Sequence, residues 1–123
     1  MNPNQTGAII FSWTGVTAGR EAKSLQSFAR AGQYYEGLEK AGRISGTRIF
    51  IGMTGSTAGQ YVVEGNLRAL LELTTDDEFV GLAQQANLNT DGFTMNIYAG
   101  GNPDSLAEGM GNFMTMLQEE GLV

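Results

Sequence analysis

Residues Thr47 to Gly65 constrain this chain more than any other stretch. They read Thr-Arg-Ile-Phe-Ile-Gly-Met-Thr-Gly-Ser-Thr-Ala-Gly-Gln-Tyr-Val-Val-Glu-Gly. Two runs rich in branched and aromatic residues are joined by Gly, Ser and Thr, the pattern of a β-hairpin. Ile49, Ile51 and Met53 share one parity with Tyr61 and Val63; Arg48 and Phe50 share the other with Val62 and Glu64. Side chains alternate along a strand, so pairing must keep each set on its own face. That predicts a loop with an odd residue count, with Phe50 near Val62 and Arg48 near Glu64. Gly55 and Gly59 offer the positive φ such a turn needs. A glycine-rich turn can also cradle an anion, but no lysine follows this one and it does not open a helix, so it is not a phosphate loop.

Strand and helix patterns lie on both sides of the hairpin. Gly7 to Trp13 reads as a first strand, with Ile9, Phe11 and Trp13 on one face and Ala8, Ile10 and Ser12 on the other. Two apolar faces suggest a central position in a sheet. Thr17 is the candidate N-cap of a long helix over residues 20–41. Its apolar stripe is Leu25, Phe28, Gly32 and Tyr35, beside a second stripe of Ala31, Tyr34 and Leu38. Gly42 ends it, and a close approach of backbone to sheet would explain Gly32 and Gly37.

After the hairpin, residues 66–73 read as a short helix with Leu67, Leu70 and Leu71 inward. Thr75 and Glu78 have the spacing of a capping box for a third helix carrying Phe79, Leu82, Ala83 and Ala86. Residues 87–92 read as loop. Phe93 to Ala99 is the last strand, and Asn102-Pro103 opens a terminal helix with Leu106, Met110, Phe113, Met114 and Leu117 on one face. Such a methionine-rich face adapts to irregular surfaces, in its own domain or in a second subunit.

The whole is one domain, residues 1–123. Residues 1–6 are expected to be frayed, and 102–121 form the added helix. The order strand, helix, strand, strand, helix, strand is the split βαβ plan of a ferredoxin-like α+β domain. Right-handed crossovers give a four-stranded antiparallel sheet of order 4-1-3-2 plus the C-terminal helix. Ile9, Phe11, Leu25, Phe28, Ile49, Ile51, Val63, Phe79, Leu82, Met95 and Ile97 are the expected core. Helices can cover only one face of this sheet. Ile10, Phe50, Val62 and Tyr98 on the other face call for a partner, most simply a second copy in a two-fold dimer.

Composition removes several chemistries. The chain has no cysteine and no histidine. It therefore has no disulfide, no zinc finger, no haem ligated by His or Cys, and no Ser-His or Cys-His nucleophile; no metal site and no cofactor are expected. Thirteen acids stand against seven bases, a net charge of −6, which disfavours nucleic acid and anionic membranes. Residues 60–65 also lack the basic, aromatic signature of RNA-recognition motifs, which share this element order. The apolar run Ala8 to Phe11 is too short for a signal peptide, and no stretch approaches a membrane span, so a cytoplasmic protein is expected.

The chain resembles the dimeric α/β barrel proteins, which include small cofactor-independent monooxygenases and stress-responsive barrel proteins. The resemblance runs from Gly7 to about Gly101. It rests on the element order, on Val16-Thr-Ala-Gly-Arg-Glu21 leading into the long helix, and on Glu64-Gly-Asn-Leu-Arg-Ala-Leu-Leu-Glu-Leu73 followed by Asp76-Asp-Glu-Phe79. It implies a homodimer and a small organic ligand between sheet and helices. The histidines of several enzymatic branches have no counterpart here. An enzyme on this chain would be cofactor-free and built on a carboxylate or tyrosine, and the spacing singles out none.

From the residues themselves, Trp13, Phe50, Tyr98 and one of Tyr34 or Tyr35 are candidate walls of an apolar cavity. Arg48, Glu64 and Asn96 are its polar handles, with Arg48 suited to an anionic or carbonyl-bearing ligand. The alternative is a non-catalytic structural or regulatory dimer. In it the aromatics are core or interface and Arg48 pairs with Glu64 across the strands.

Overall fold

The computed structural model describes residues 5–123. The elements are β1 (Thr6–Trp13), β2 (Gly15–Val16), α1 (Glu21–Lys40), β3 (Gly46–Ile51), β4 (Gly59–Asn66), α2 (Leu67–Leu73), α3 (Asp77–Asn89), β5 (Thr90–Asp91), β6 (Thr94–Ala99) and α4 (Pro103–Glu119). The main sheet is antiparallel with order β3-β4-β1-β6. Counting the four long strands alone, that is the expected 4-1-3-2 arrangement seen from its other end. The two short strands β2 and β5, which pair with each other, were not anticipated. β1 already includes Thr6, and Gln5 is buried, so of the stretch expected to fray only residues 1–4 remain, and they lie outside the described residues.

The hairpin forms with an odd loop, but its register is tighter than expected. Arg48 stands opposite Val62 and Phe50 opposite Gln60. Parity survives because the register differs by a whole side-chain period. The reason lies in Gly59. It belongs to β4, directly opposite Trp13, where a Cβ would sit 2.7 Å from the indole Cζ2. Gly59 thus serves as a seat for Trp13, and only Gly55 supplies positive φ in the loop, at +82°. Arg48 and Glu64 still form an ion pair, reached diagonally across the strands.

The core lies between the sheet and the helices. Ile9 and Phe11 of β1, Tyr61 and Val63 of β4, Tyr35 and Leu38 of α1, Ile44, Leu70, Leu73 and Phe79 form one cluster. Of the expected core, Ile9, Phe11, Val63, Phe79 and Leu82 are buried and Ile97 partly so. Leu25, Phe28, Ile49, Ile51 and Met95 are exposed. Their parity is right but their position is peripheral: β3 and β6 are the sheet edges, and the fully buried residues of α1, Tyr35 and Leu38, lie in its C-terminal half. On α2, Leu73 is buried in place of the expected Leu71.

The caps differ in detail. Arg20 occupies the N-cap of α1 without a side-chain bond, and Thr17 instead donates to the Asp91 carboxylate at 2.9 Å. The Thr75–Glu78 box does not form, because α3 starts at Asp77 and the Thr75 hydroxyl donates back to the Glu72 carbonyl at 2.7 Å. Asn66 and Asn102 cap α2 and α4 by accepting from Ala69 N and Ser105 N. A Cβ at Gly32 or Gly37 would meet open space, so neither glycine marks a close approach to the sheet.

Candidate functional site

A cavity of about 300 Å³ opens between α1, α3 and the sheet. Its origin is a mismatch of side-chain size. The floor is aromatic, with Phe11 and Trp13 from β1 and Tyr61 from β4, while the helices above contribute Ala31, Ala83 and Ala86. Large residues prop the helices up and small ones fail to fill the space beneath. Phe28, Tyr35 and Phe93 complete the aromatic wall. The rings are mutually packed: Phe11 stacks on Phe93 at 5.9 Å between centroids, Phe28 meets Tyr61 edge-on at 5.7 Å, and Tyr35 lies 5.4 Å from Tyr61. Such pairs hold one another in place.

Polar groups form one part of the cavity wall. Asn89, only 4% exposed, accepts from Arg20 Nε through its amide oxygen at 2.8 Å and donates to Ser27 Oγ at 2.8 Å. Its carbonyl accepts from Thr17 N at 3.0 Å, beside the β2–β5 ladder. These bonds tie the start of α1 to the end of α3. The rim beside them, with Val16, Leu25 and Phe28 exposed, is open to solvent.

No charged side chain lines the cavity. Tyr35 is pushed far above the ordinary phenol range, first by burial and then by its neighbours Tyr34 and Tyr61. Tyr61 is also raised by burial, partly offset by a hydrogen bond with Thr47. Desolvation disfavours the phenolate, so both hydroxyls stay protonated across the physiological range. They can donate a hydrogen bond and cannot act as bases there. Among the described residues no group of three or more acidic side chains is placed to hold a metal ion.

The six residues expected to form the site are divided between two faces of the sheet. Trp13 lines the cavity on the helix-covered face. Arg48, Phe50, Glu64, Asn96 and Tyr98 have the opposite parity, that of Ile10 and Val62, and lie on the open face. They cannot wall the same cavity in one protomer. Arg48 does not face inward: its side chain is largely in solvent and paired with Glu64. Of the two tyrosines, Tyr35 is the wall residue. Tyr34 lies in a shallow surface groove, where it donates to Asp76 Oδ2 at 3.3 Å beside the Arg43–Asp76 ion pair at 3.0 Å. Sequence reasoning assigned Phe11 and Phe28 to the core and missed Asn89. The available signal was the run of small residues on the inward faces of both long helices, opposite aromatic strands.

A four-stranded antiparallel sheet in this order, with helices on one face, is a ferredoxin-like fold. Solved structures agree. A dimeric protein of unknown function from Bacteroides fragilis NCTC 9343 matches with a TM-score of 0.55 at 14% identity, over 77% of this chain and 96% of that one. A hydroxynitrile lyase from Passiflora edulis matches at 0.61 and 8% identity, over 81% and 97%. A Caulobacter crescentus CB15 protein, provisionally named an antibiotic biosynthesis monooxygenase, matches at 0.58 and 10%, over 81% and 93%. At such identities the likeness is one of fold. No protein-family profile matches the chain, and no curated protein matches it in sequence.

Proposed function

We propose that this chain forms a two-fold dimer that binds a small, neutral, largely apolar organic molecule in the cavity between helices and sheet. The observation that carries this reading is the cavity itself: about 300 Å³, aromatic on most sides, and free of charge. Its size is at the lower end for small-molecule sites, and the buried phenols of Tyr35 and Tyr61 supply the few directional groups such sites use. A ligand with a carbonyl or hydroxyl suits those donors, and no residue of the lining itself is a cation. The structural-dimer alternative requires a filled core, and the cavity speaks against it. Dimerisation is supported by the open sheet face, where Phe50 and Tyr98 remain half exposed around Ile10 and Val62, and by the dimeric relative from Bacteroides fragilis. The reading carries the expectation of a cytoplasmic protein, checked by cell fractionation.

The chemistry of the site is set by what its walls can do. They orient a ligand and can donate a hydrogen bond to it through a phenol, but they hold no general base. The lyase and monooxygenase names among the matched structures show that the fold carries unrelated activities, so neither is transferred.

Trp13 is the only tryptophan and it forms part of the wall. Titration with the neutral probe N-phenyl-1-naphthylamine should quench Trp13 fluorescence by energy transfer, with saturation. Arg48→Ala, on the opposite face, should leave that titration unchanged. Absence of saturable quenching, or its loss in Arg48→Ala, would remove the cavity as the binding site.

A further inference from the structure

α4 is an amphipathic helix whose apolar side is left uncovered by the described residues. Leu106, Met110, Phe113 and Met114 are exposed, Met110 by 61%. Leu106, Met110, Phe113 and Leu117 follow one another at steps of four, three and four, the spacing of a seam that packs against another element. The helix is held at its first turn. Thr6 N donates to Ser105 Oγ at 3.0 Å, and Asn102 Nδ2 donates to Thr6 Oγ1 at 3.2 Å. It sits by the β6 edge on the helix-covered side of the sheet: Gly109 approaches Ala99, which shares parity with Met95 and Ile97.

The same side of the sheet is bare at the opposite edge. On β3, Ile51 is 79% and Ile49 49% exposed, although their parity is that of the core. Next to them Phe28 packs edge-on against Tyr61, the register partner of Ile49. Leu25, one turn earlier on α1, is 72% exposed. Leu25, Phe28, Ile49 and Ile51 form an apolar ledge, and its first two residues are also the mouth of the cavity.

One protomer thus carries a spare apolar helix at one sheet edge and an uncovered apolar ledge at the other. We propose that the occupant of the ledge is α4 of a second copy, so that each protomer closes the mouth of its partner's cavity. A two-fold axis along the strands brings the β6 edge of each protomer to the β3 edge of the other. It satisfies both surfaces twice over, as an isologous interface does. Where those edges adjoin, the two helix-covered sides run on into one outer surface and the open faces line the interior, so the contact is continuous with the dimer surface proposed above. The charges are compatible: α4 carries Asp104, Glu108 and Glu119 and no base, while the start of α1 beside the ledge carries Arg20 and Lys23 with the acids Glu21 and, held by Thr17, Asp91. An α4–α4 pair would instead set the acids of α4 against one another. The cavity is therefore incomplete in a single protomer, and Met110, Phe113 and Met114 of the partner helix supply its remaining wall.

The cysteine-free chain allows a direct test. Ile51→Cys and Phe113→Cys are made separately, mixed through mild denaturation, and oxidised. The proposal expects a disulfide-linked species of twice the chain mass from the mixture and none from either variant alone. Crosslinking of Phe113→Cys with itself would show α4–α4 pairing and overturn it. So would the absence of any crosslink together with an unchanged sedimentation profile in Phe113→Glu. Phe113 is exposed in the protomer, so Phe113→Glu should retain wild-type circular dichroism. It should weaken dimerisation about tenfold or more by placing an unpaired carboxylate in an apolar contact, and it should make Trp13 more accessible to acrylamide. The inference rests on the cavity reading only for its consequence at the mouth. A crosslink without probe binding would sink the ligand and keep the docking; probe binding without a crosslink would do the reverse.

Discussion

Replacing Ala86 by leucine tests the cavity from within. Ala86 lies on α3 with its methyl in the cavity wall. The substitution adds three carbon groups, each occupying about the ~30 Å³ of a water molecule, well inside the roughly 300 Å³ present. At about 0.8 kcal/mol per buried carbon group, the ceiling on the gain is roughly 2.4 kcal/mol. Ordering the leucine side chain takes back about 0.5–1 kcal/mol, and its slightly lower helix propensity a few tenths more. The net expectation is a stabilisation of about 1 kcal/mol, seen as a higher urea midpoint at unchanged m-value and a melting temperature raised by roughly 4 °C. The same variant should lose much of its binding of N-phenyl-1-naphthylamine, since the added atoms occupy the ligand's space. Gained stability with lost binding is a combination that neither a filled core nor an exposed surface would produce. If Ala86→Leu instead destabilised the protein by about 1–3 kcal/mol, the signature of overpacking, the space would already be filled and the argument for a ligand would fall with it.

Two further outcomes follow from particular residues. Gly37→Ala should stabilise the protein by up to about 1 kcal/mol, because the glycine sits inside α1 and a Cβ there meets open space; a loss of stability in urea titration would reveal an unseen contact. Burial, then the Asp76 charge and its hydrogen bond, push the Tyr34 phenol up to about 12. Its folded value lies above its unfolded one, so its contribution is fully present below about pH 10 and is lost as pH rises towards about 12. The urea midpoint should fall across that window, and Tyr34→Phe should flatten the fall; an identical slope in both proteins would contradict this account.

Much of the architecture is local in origin and was legible in the chain. The hairpin is written in the alternation of residues 48–51 and 60–64, the long helix in its apolar stripe and Gly42, and the last helix in Asn102-Pro103. The sheet order follows from connection handedness, and the apolar character of both faces of the central strands agrees with it. The facial parity of every strand residue was also readable, because a strand's period is fixed by its backbone. Parity cannot tell a covered residue from an edge one. Ile9 and Ile49 lie on the same side of the sheet by parity, yet Ile9 is fully buried and Ile49 half exposed, because burial depends on what stands above the strand. The candidate site illustrates the same limit. Trp13 and Tyr98 are both strand aromatics, but the pleat sends them to opposite sides of the sheet. Only the tertiary arrangement shows that α1 and α3 meet the aromatic floor through alanines and leave a cavity there. The contact between Asn89 and Ser27 spans 62 positions in the chain, and its residue types carry no spacing signal of their own. Local propensity and periodicity therefore determined the elements and their faces. Non-local packing decided which apolar surfaces became core, which became cavity, and which were left for a partner.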